Sequence, residues 1–162
     1  MTDLVYVGFI TGPFGLKGEL KISSDSNHLD KMLKAGNELF IDGKKYVLKK
    51  YHLHKGHLIT FEGYEDINLV NDLLKKEVYI ARDSINLKEN EFLYADLLGC
   101  KIVDENEIGI VEDILYNKNN IFIKSGNLII PIIDKYFEKV DTKEKIIYVK
   151  NSKELMLWEL IY

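Results

Sequence analysis

Several groups of residues in this chain have the types and spacing that chemistry uses. Residues 12–18 read GPFGLKG, whose three glycines and one lysine have the composition of a loop that wraps phosphate. A Walker loop, however, places its lysine after the last glycine and follows it with a hydroxyl residue that holds magnesium. Here Lys17 precedes Gly18, and the next residue is Glu19, whose charge repels phosphate. The dinucleotide fingerprint fails as well, because no G-x-G-x-x-G opens a helix. A turn that needs positive φ accounts for the glycines. It accounts neither for Phe14 near the tip nor for the number of residues, so a displayed contact loop stays open.

His52, His54 and His57 form an H-x-H-x-x-H cluster. On a strand, His52 and His54 face one side, as metal ligands would. But His57 lies across a turn at Lys55-Gly56 and no carboxylate is interleaved, so the expectation is three surface histidines and no metal. The one cysteine, Cys100, cannot form an internal disulfide or a zinc cage. It sits in the apolar run LLGCKIV, where thiols are usually inert packing groups. No G-x-S-x-G elbow occurs. Glu112 and Asp113 adjoin, which on a strand sends them to opposite faces. These patterns predict no catalytic residues and no cofactor. The chemistry left is recognition.

The chain has 162 residues, 46% hydrophobic and 30% charged, enough to bury a core in one domain or two small ones. No apolar run approaches the roughly 20 residues that span a bilayer. The opening MTDLVYVGFITG carries an acidic residue where a signal peptide needs basic ones, so a cytoplasmic protein without a membrane partner is expected. The formal net charge of −4 argues against indiscriminate nucleic-acid binding. The charge is unevenly spread. Residues 1–88 carry 13 basic and 12 acidic side chains, whereas residues 89–162 carry 9 and 14. An acidic second half suits a basic protein better than bare RNA. A solvated surface with no such meaning is the alternative.

The elements that would position these residues are mostly strands. LVYVGFI (4–10) and ELKIS (19–23) flank the opening loop with period-two alternation. ELFI, Asp42-Gly43 and KYVL read as a hairpin with a type I′ turn, and LHKGHLI reads as a second hairpin tip. DINLVNDLLKK (66–76) reads as a helix capped by Asp66, with Ile67, Val70 and Leu74 on one face. EVYIAR (77–82) returns to strand. Many short strands indicate a small barrel closed on itself. The polar stretch around residues 83–90 reads as a linker, dividing the chain into domains 1–82 and 91–162. After it come hairpins from LLGCKIV and EIGIVEDIL, and from NIFIK and LIIPII, then a strand in KEKIIYVK. The tail SKELMLWELIY reads as a helix behind a Ser152 cap, with Leu155, Trp158 and Tyr162 on one face and Trp158 plugging the core. The expected fold is mainly β, two small β-barrels with short helices.

Five blocks, in order, resemble the ribosome maturation factor RimM family. The stretch Gly8 to Glu19 resembles its opening glycine block, and His54-Lys55-Gly56 its hairpin tip. FEGYEDINLVNDLLKKEVYIAR, FLYADLLGCKIVD and LIIPIIDKYFEKVD resemble three further segments. This chain has Phe14 where the family usually has His, Leu93 where it has a second aromatic ring, and Glu154-Leu155 where it has Gly-Leu. The resemblance implies a translation-factor-like N-terminal barrel and a C-terminal PRC barrel. It also implies a non-catalytic assembly factor, expected to be a monomer. Such a factor binds the precursor small ribosomal subunit and its rRNA, together with the nineteenth small-subunit protein, a basic protein of the head. On this reading Phe14, Lys17, Lys21 and Arg82 face the particle and its RNA. Phe92, Leu93, Tyr94, Asp96, Pro131 and Asp134 meet the ribosomal protein. Two readings stay open beside this. Phe92 and Tyr94 could equally seal the two barrels together, and Pro131 could be an edge-strand feature. The rival functions are an RNA-processing enzyme and a PRC-type adaptor for other partners.

Overall fold

The computed structural model describes residues 3–161, with side chains described through residue 156. It divides into two compact units, residues 1–88 and 89–162. The first is a closed six-stranded barrel: β1 (Leu4–Phe14), β2 (Glu19–Ser23), β3 (Glu38–Ile41), β4 (Lys44–Leu53), β5 (His57–Phe61) and β6 (Glu77–Ala81). Its order is β1-β2-β5-β4-β3-β6, and β6 pairs back onto β1, all antiparallel. The alternation that marks these strands puts Ile10, Leu20, Leu39, Leu48, Phe61 and Ile80 wholly inside. A four-residue helix, α1 (Leu29–Met32), adds Leu29 and Met32 to the buried set. Both expected hairpin turns are present: Asp42 and Gly43 have φ of 52° and 78°, and Lys55 and Gly56 have 54° and 126°.

The expected helix over 66–76 is instead two 3₁₀ turns, Ile67–Leu69 and Asn71–Leu73. Asp66 does cap the first, accepting from the Asn68 N–H at 2.8 Å. A 3₁₀ turn repeats every three residues, so Ile67, Val70 and Leu73 align, and Val70 and Leu73 are buried in place of Leu74. Lys75, at φ 63°, then turns the chain into β6.

The second unit builds its barrel from two sheets around one core. One holds β9 (Asp113–Asn117), β10 (Asn120–Ser125) and β11 (Leu128–Pro131) in the order β11-β10-β9. The other holds β7 (Lys101–Asp104), β8 (Asn106–Ile110), β12 (Phe137–Asp141) and β13 (Ile146–Val149) in the order β12-β13-β7-β8. The sheets meet where Glu112 N–H donates to the Lys124 carbonyl at 2.8 Å and Ile110 N–H donates to Ser125 Oγ at 3.2 Å. Leu97, Cys100, Ile102, Ile123, Ile130 and Ile147 form the core between them. Strand β12 lies in FEKVD, where no strand is legible from alternation, and it gains its ladder from β13.

The C-terminal helix, α2 (Ser152–Ile161), is present, and its first N–H, on Ser152, needs an acceptor outside the helix. The Asp104 carboxylate of β7 takes that part, accepting from Ser152 N–H at 3.1 Å and also from its hydroxyl. Leu155 packs on the core; Trp158 and Tyr162 lie outside the described side chains.

Two glycines of the opening loop have different constraints. A Cβ on Gly18, at φ 79°, would sit 2.0 Å from the Tyr64 carbonyl oxygen, whereas Gly15, at φ 72°, has open space. Gly18→Ala is therefore expected to cost at least about 2 kcal/mol, from positive φ plus a backbone clash, and Gly15→Ala about 1 kcal/mol. Urea denaturation checks the order; equal costs would show that the loop is not seated on Tyr64.

Candidate functional sites

The loop 15–18 is held by its backbone. Ile67 N–H donates to the Leu16 carbonyl at 3.0 Å, and Gly18 lies flush against residues 64–66. With the main chain so occupied, side chains on the loop turn outward: Lys17 is exposed and Leu16 is 76% exposed. Phe14 stands at the end of β1, paired with Glu19, and is half-buried. Lys21 Nζ lies 5.4 Å from its ring centroid, a cation–π distance. The His54 ring, from the β4–β5 tip, meets Phe14 edge-on at 5.6 Å and 71°. Phe14, Lys17 and Lys21 therefore occupy one end of the barrel.

Arg82 is not among them. It follows β6 at the opposite end of β1, where Leu4 pairs with Ala81, and its Nε donates to Asp3 Oδ2 at 2.8 Å. The strand between spans roughly 30 Å at about 3.3 Å per residue. The histidines diverge as well. His57 Nδ1 lies 2.7 Å from the Tyr51 hydroxyl, His52 Nε2 lies 3.4 Å from Glu19 Oε2, and His54 faces Phe14. Among the described residues no three His, Cys, Asp or Glu side chains are arranged to hold a metal ion.

In the second unit Phe92 and Tyr94 have ring centroids 6.2 Å apart and pack against the core, half-buried. Leu93 between them is 2% exposed, which corrects its assignment as a contact: its side chain has no surface to offer. Asp96, in the 3₁₀ turn Tyr94–Leu97, donates its N–H to the Leu93 carbonyl at 3.0 Å. Pro131 ends β11, an edge strand of its sheet, where a residue without an N–H is tolerated. Asp134 is exposed and lines a groove of about 660 Å³ together with Phe92, Ile133, Phe137, Glu138 and Lys139. Sequence reasoning named Phe92 and Asp134 but missed Ile133, Phe137 and Glu138. No strand signal marks them along the chain: the apolar residues of FEKV, Phe137 and Val140, are three apart, whereas strand alternation repeats every two.

A family model described as the RimM N-terminal domain matches residues 5–85, and one described as the PRC-barrel domain matches residues 89–156. Ribosome maturation factors RimM of Staphylococcus aureus strains JH9 and Newman are each 34% identical over 164 residues, covering 94% of this chain and 98% of theirs. The chain belongs to the ribosome maturation factor RimM family. Solved structures similar to it include a RimM crystal structure from Pseudomonas aeruginosa, with 21% identity and a TM-score of 0.46 over 91% of this chain and 97% of that one. Another is the N-terminal domain of RimM from Thermus thermophilus, with 17% identity and a TM-score of 0.45, over 52% of this chain and 96% of that one. The RimM N-terminal domain match falls on the first compact unit and the PRC-barrel match on the second.

In the PRC-barrel half, Cys100 Sγ donates to the Asp96 carbonyl at 3.3 Å and is fully covered. Burial pushes its thiol up from the usual value, with Asp96 adding to this and Lys145 opposing it. Little thiolate forms near neutral pH, and thiolate is the reactive species. Native protein is expected to react with a thiol-specific disulfide reagent at least about tenfold more slowly than urea-unfolded protein. Equal rates would place Cys100 on an open surface.

Proposed function

We propose that this chain is a non-catalytic assembly factor of the small ribosomal subunit. On this reading it is a cytoplasmic monomer that binds the precursor particle through both units and assists rRNA folding and processing. Similarity to ribosome maturation factors along almost the whole of both chains carries this reading. Within it, the groove of the second unit takes the basic head protein, the nineteenth of the small subunit. Phe92, Ile133 and Phe137 supply apolar floor, and Asp134 and Glu138 supply acidic rim. Such an apolar centre with a charged edge is the anatomy of a specific interface. The excess of acid in residues 89–162 attracts a basic partner and speeds encounter. Tyr94, Asp96 and Pro131 border this surface on the same reading. At the first barrel, the ring of Phe14 and the charges of Lys17 and Lys21 face the rRNA, the lysines toward phosphates. Arg82, tied to Asp3 at the far end, gives a separate RNA contact.

Reversal of two exposed charges, Asp134→Lys with Glu138→Lys, tests the groove without touching the core. Stability is expected to stay within about 0.5 kcal/mol, as for ordinary surface changes. Capture of the head protein in a pull-down is expected to fall at least about tenfold, as when one charged surface is made to face another of like sign. Unchanged capture would remove the groove from the interface. Phe14→Ala with Lys17→Ala is expected to leave the melting temperature almost unchanged and to weaken co-sedimentation with precursor subunits. Capture of a different partner, with no precursor subunits, would favour an adaptor instead.

A further inference from the structure

The first barrel carries a second surface that the opening loop does not include. Register places Tyr6 of β1 opposite Tyr79 of β6, and Tyr79 opposite Phe40 of β3. Their strand neighbours Val5, Val7, Val78, Ile80, Leu39 and Ile41 are buried, so all three rings point outward. Tyr6 is 49% exposed, and it meets Tyr79 edge-to-face at 5.6 Å. Leu4, also exposed, extends the row along β1. Beside the rings lies a hollow of about 420 Å³ whose lining includes Phe40, Tyr79, Lys75 and Lys76. Aromatic rings in register across neighbouring strands are costly to leave in water; Tyr6 is the most open of the three, and Tyr79 and Phe40 are half-buried beside it.

We infer that this row is a stacking platform for unpaired RNA bases. The inference rests on the proposed role at rRNA and adds to it a second surface, a ligand class and a mode of contact. Sheets that bind single-stranded RNA offer aromatic rings on neighbouring strands, on which bases stack, with cations nearby for the backbone. The local charges suit this arrangement. Asp42 is matched by Lys76 at 2.9 Å and Glu38 by Lys45 at 3.1 Å, whereas the Glu77 carboxylate keeps its charge while accepting from the Tyr79 hydroxyl. Lys75 Nζ donates to the neutral Thr11 carbonyl at 2.7 Å, so its charge is available to a phosphate, as is that of exposed Lys44 on the β3–β4 turn. The cationic contribution is therefore small, and stacking carries the binding. A duplex hides its base faces and should bind poorly.

The test is fluorescence anisotropy of the full chain with a short labelled oligoadenylate, and with a duplex of the same length, over a salt series. Single strands are expected to bind at least about tenfold more tightly than duplex. The slope of log K against log salt is expected near −1 to −2, since each phosphate neutralised on a single strand contributes about −0.7. Tyr6→Ala with Tyr79→Ala is expected to weaken binding at least about tenfold. Tyr6→Phe with Tyr79→Phe, which keeps the rings and loses the hydroxyls, is expected to retain it. Preference for duplex, or equal binding by the alanine and wild-type proteins when both fold, would overturn the platform. If the alanine pair unfolds, Tyr6→Leu alone supplies the same comparison, and unchanged binding there overturns it too. Co-sedimentation with precursor subunits separates the two readings. Particle binding without oligoadenylate binding sinks the platform alone, whereas loss of particle binding by wild-type protein sinks the wider role.

Discussion

Closure of the first barrel rests on β1, eleven residues long, because its pairing with β6 joins the two ends of the strand order. Its first half pairs with β6 and its second with β2, and the two ladders overlap at Phe9. Bulges bend a strand, and here the register slips between Tyr6 and Gly8 and again between Ile10 and Gly12. Gly8 sits at the tightest point: a Cβ there would lie 2.5 Å from the Ser23 carbonyl oxygen and 2.9 Å from Ile22 Cγ1. Both surfaces of interest are consequences of this strand. Tyr6 rides on its near end and Phe14 on its far end, so the distance between them is set by backbone hydrogen bonding rather than by loops.

The second unit solves the edge problem differently. β13 pairs parallel with β7, which needs a long connection, and that connection contains the whole of the other sheet together with β8 and β12. What remains are open edges, and these are guarded. β11 ends at Pro131, and the edge strand β12 carries Glu138 and Lys139 among its exposed residues. The groove runs along β12, so the charges that discourage strand addition also form its rim. The same side chains can thus protect an edge and select a charged partner.

Turns and alternation were legible because they are local. Asp42-Gly43 and Lys55-Gly56 declare their hairpins within two residues, and the five residues of ELKIS coincide with β2. The helix expected over 66–76 was not, because i+3 and i+4 spacings of apolar residues look alike over so short a stretch. Strand β12 was hidden because FEKVD contains little apolar alternation and depends on β13 for its form. Of the site residues, Phe14 was conspicuous as a ring in a glycine-rich stretch that had no need of one. Its contacts with Lys21 and His54 come from two other strands and could not be read along the chain. The row of Tyr6, Tyr79 and Phe40 was less legible still. Each looks like an ordinary strand aromatic, and only barrel register brings positions 6, 79 and 40 side by side.

The division of charge gives these surfaces an order of action on the proposed reading. Attraction between exposed charges fades over about 8 Å at physiological salt, so net charge guides approach and short-range contacts decide what is held. The second unit, with five more acidic than basic side chains over residues 89–162, is repelled by rRNA phosphate and drawn to basic protein. The first unit, with one more basic than acidic over residues 1–88, is nearly indifferent to phosphate at a distance. It can discriminate only on contact, through rings and a few lysines. A chain built this way does not adhere to RNA in general. On the proposed reading it docks where a basic protein and unpaired RNA lie within reach of one another, a condition met by a partly assembled particle and removed as the RNA folds.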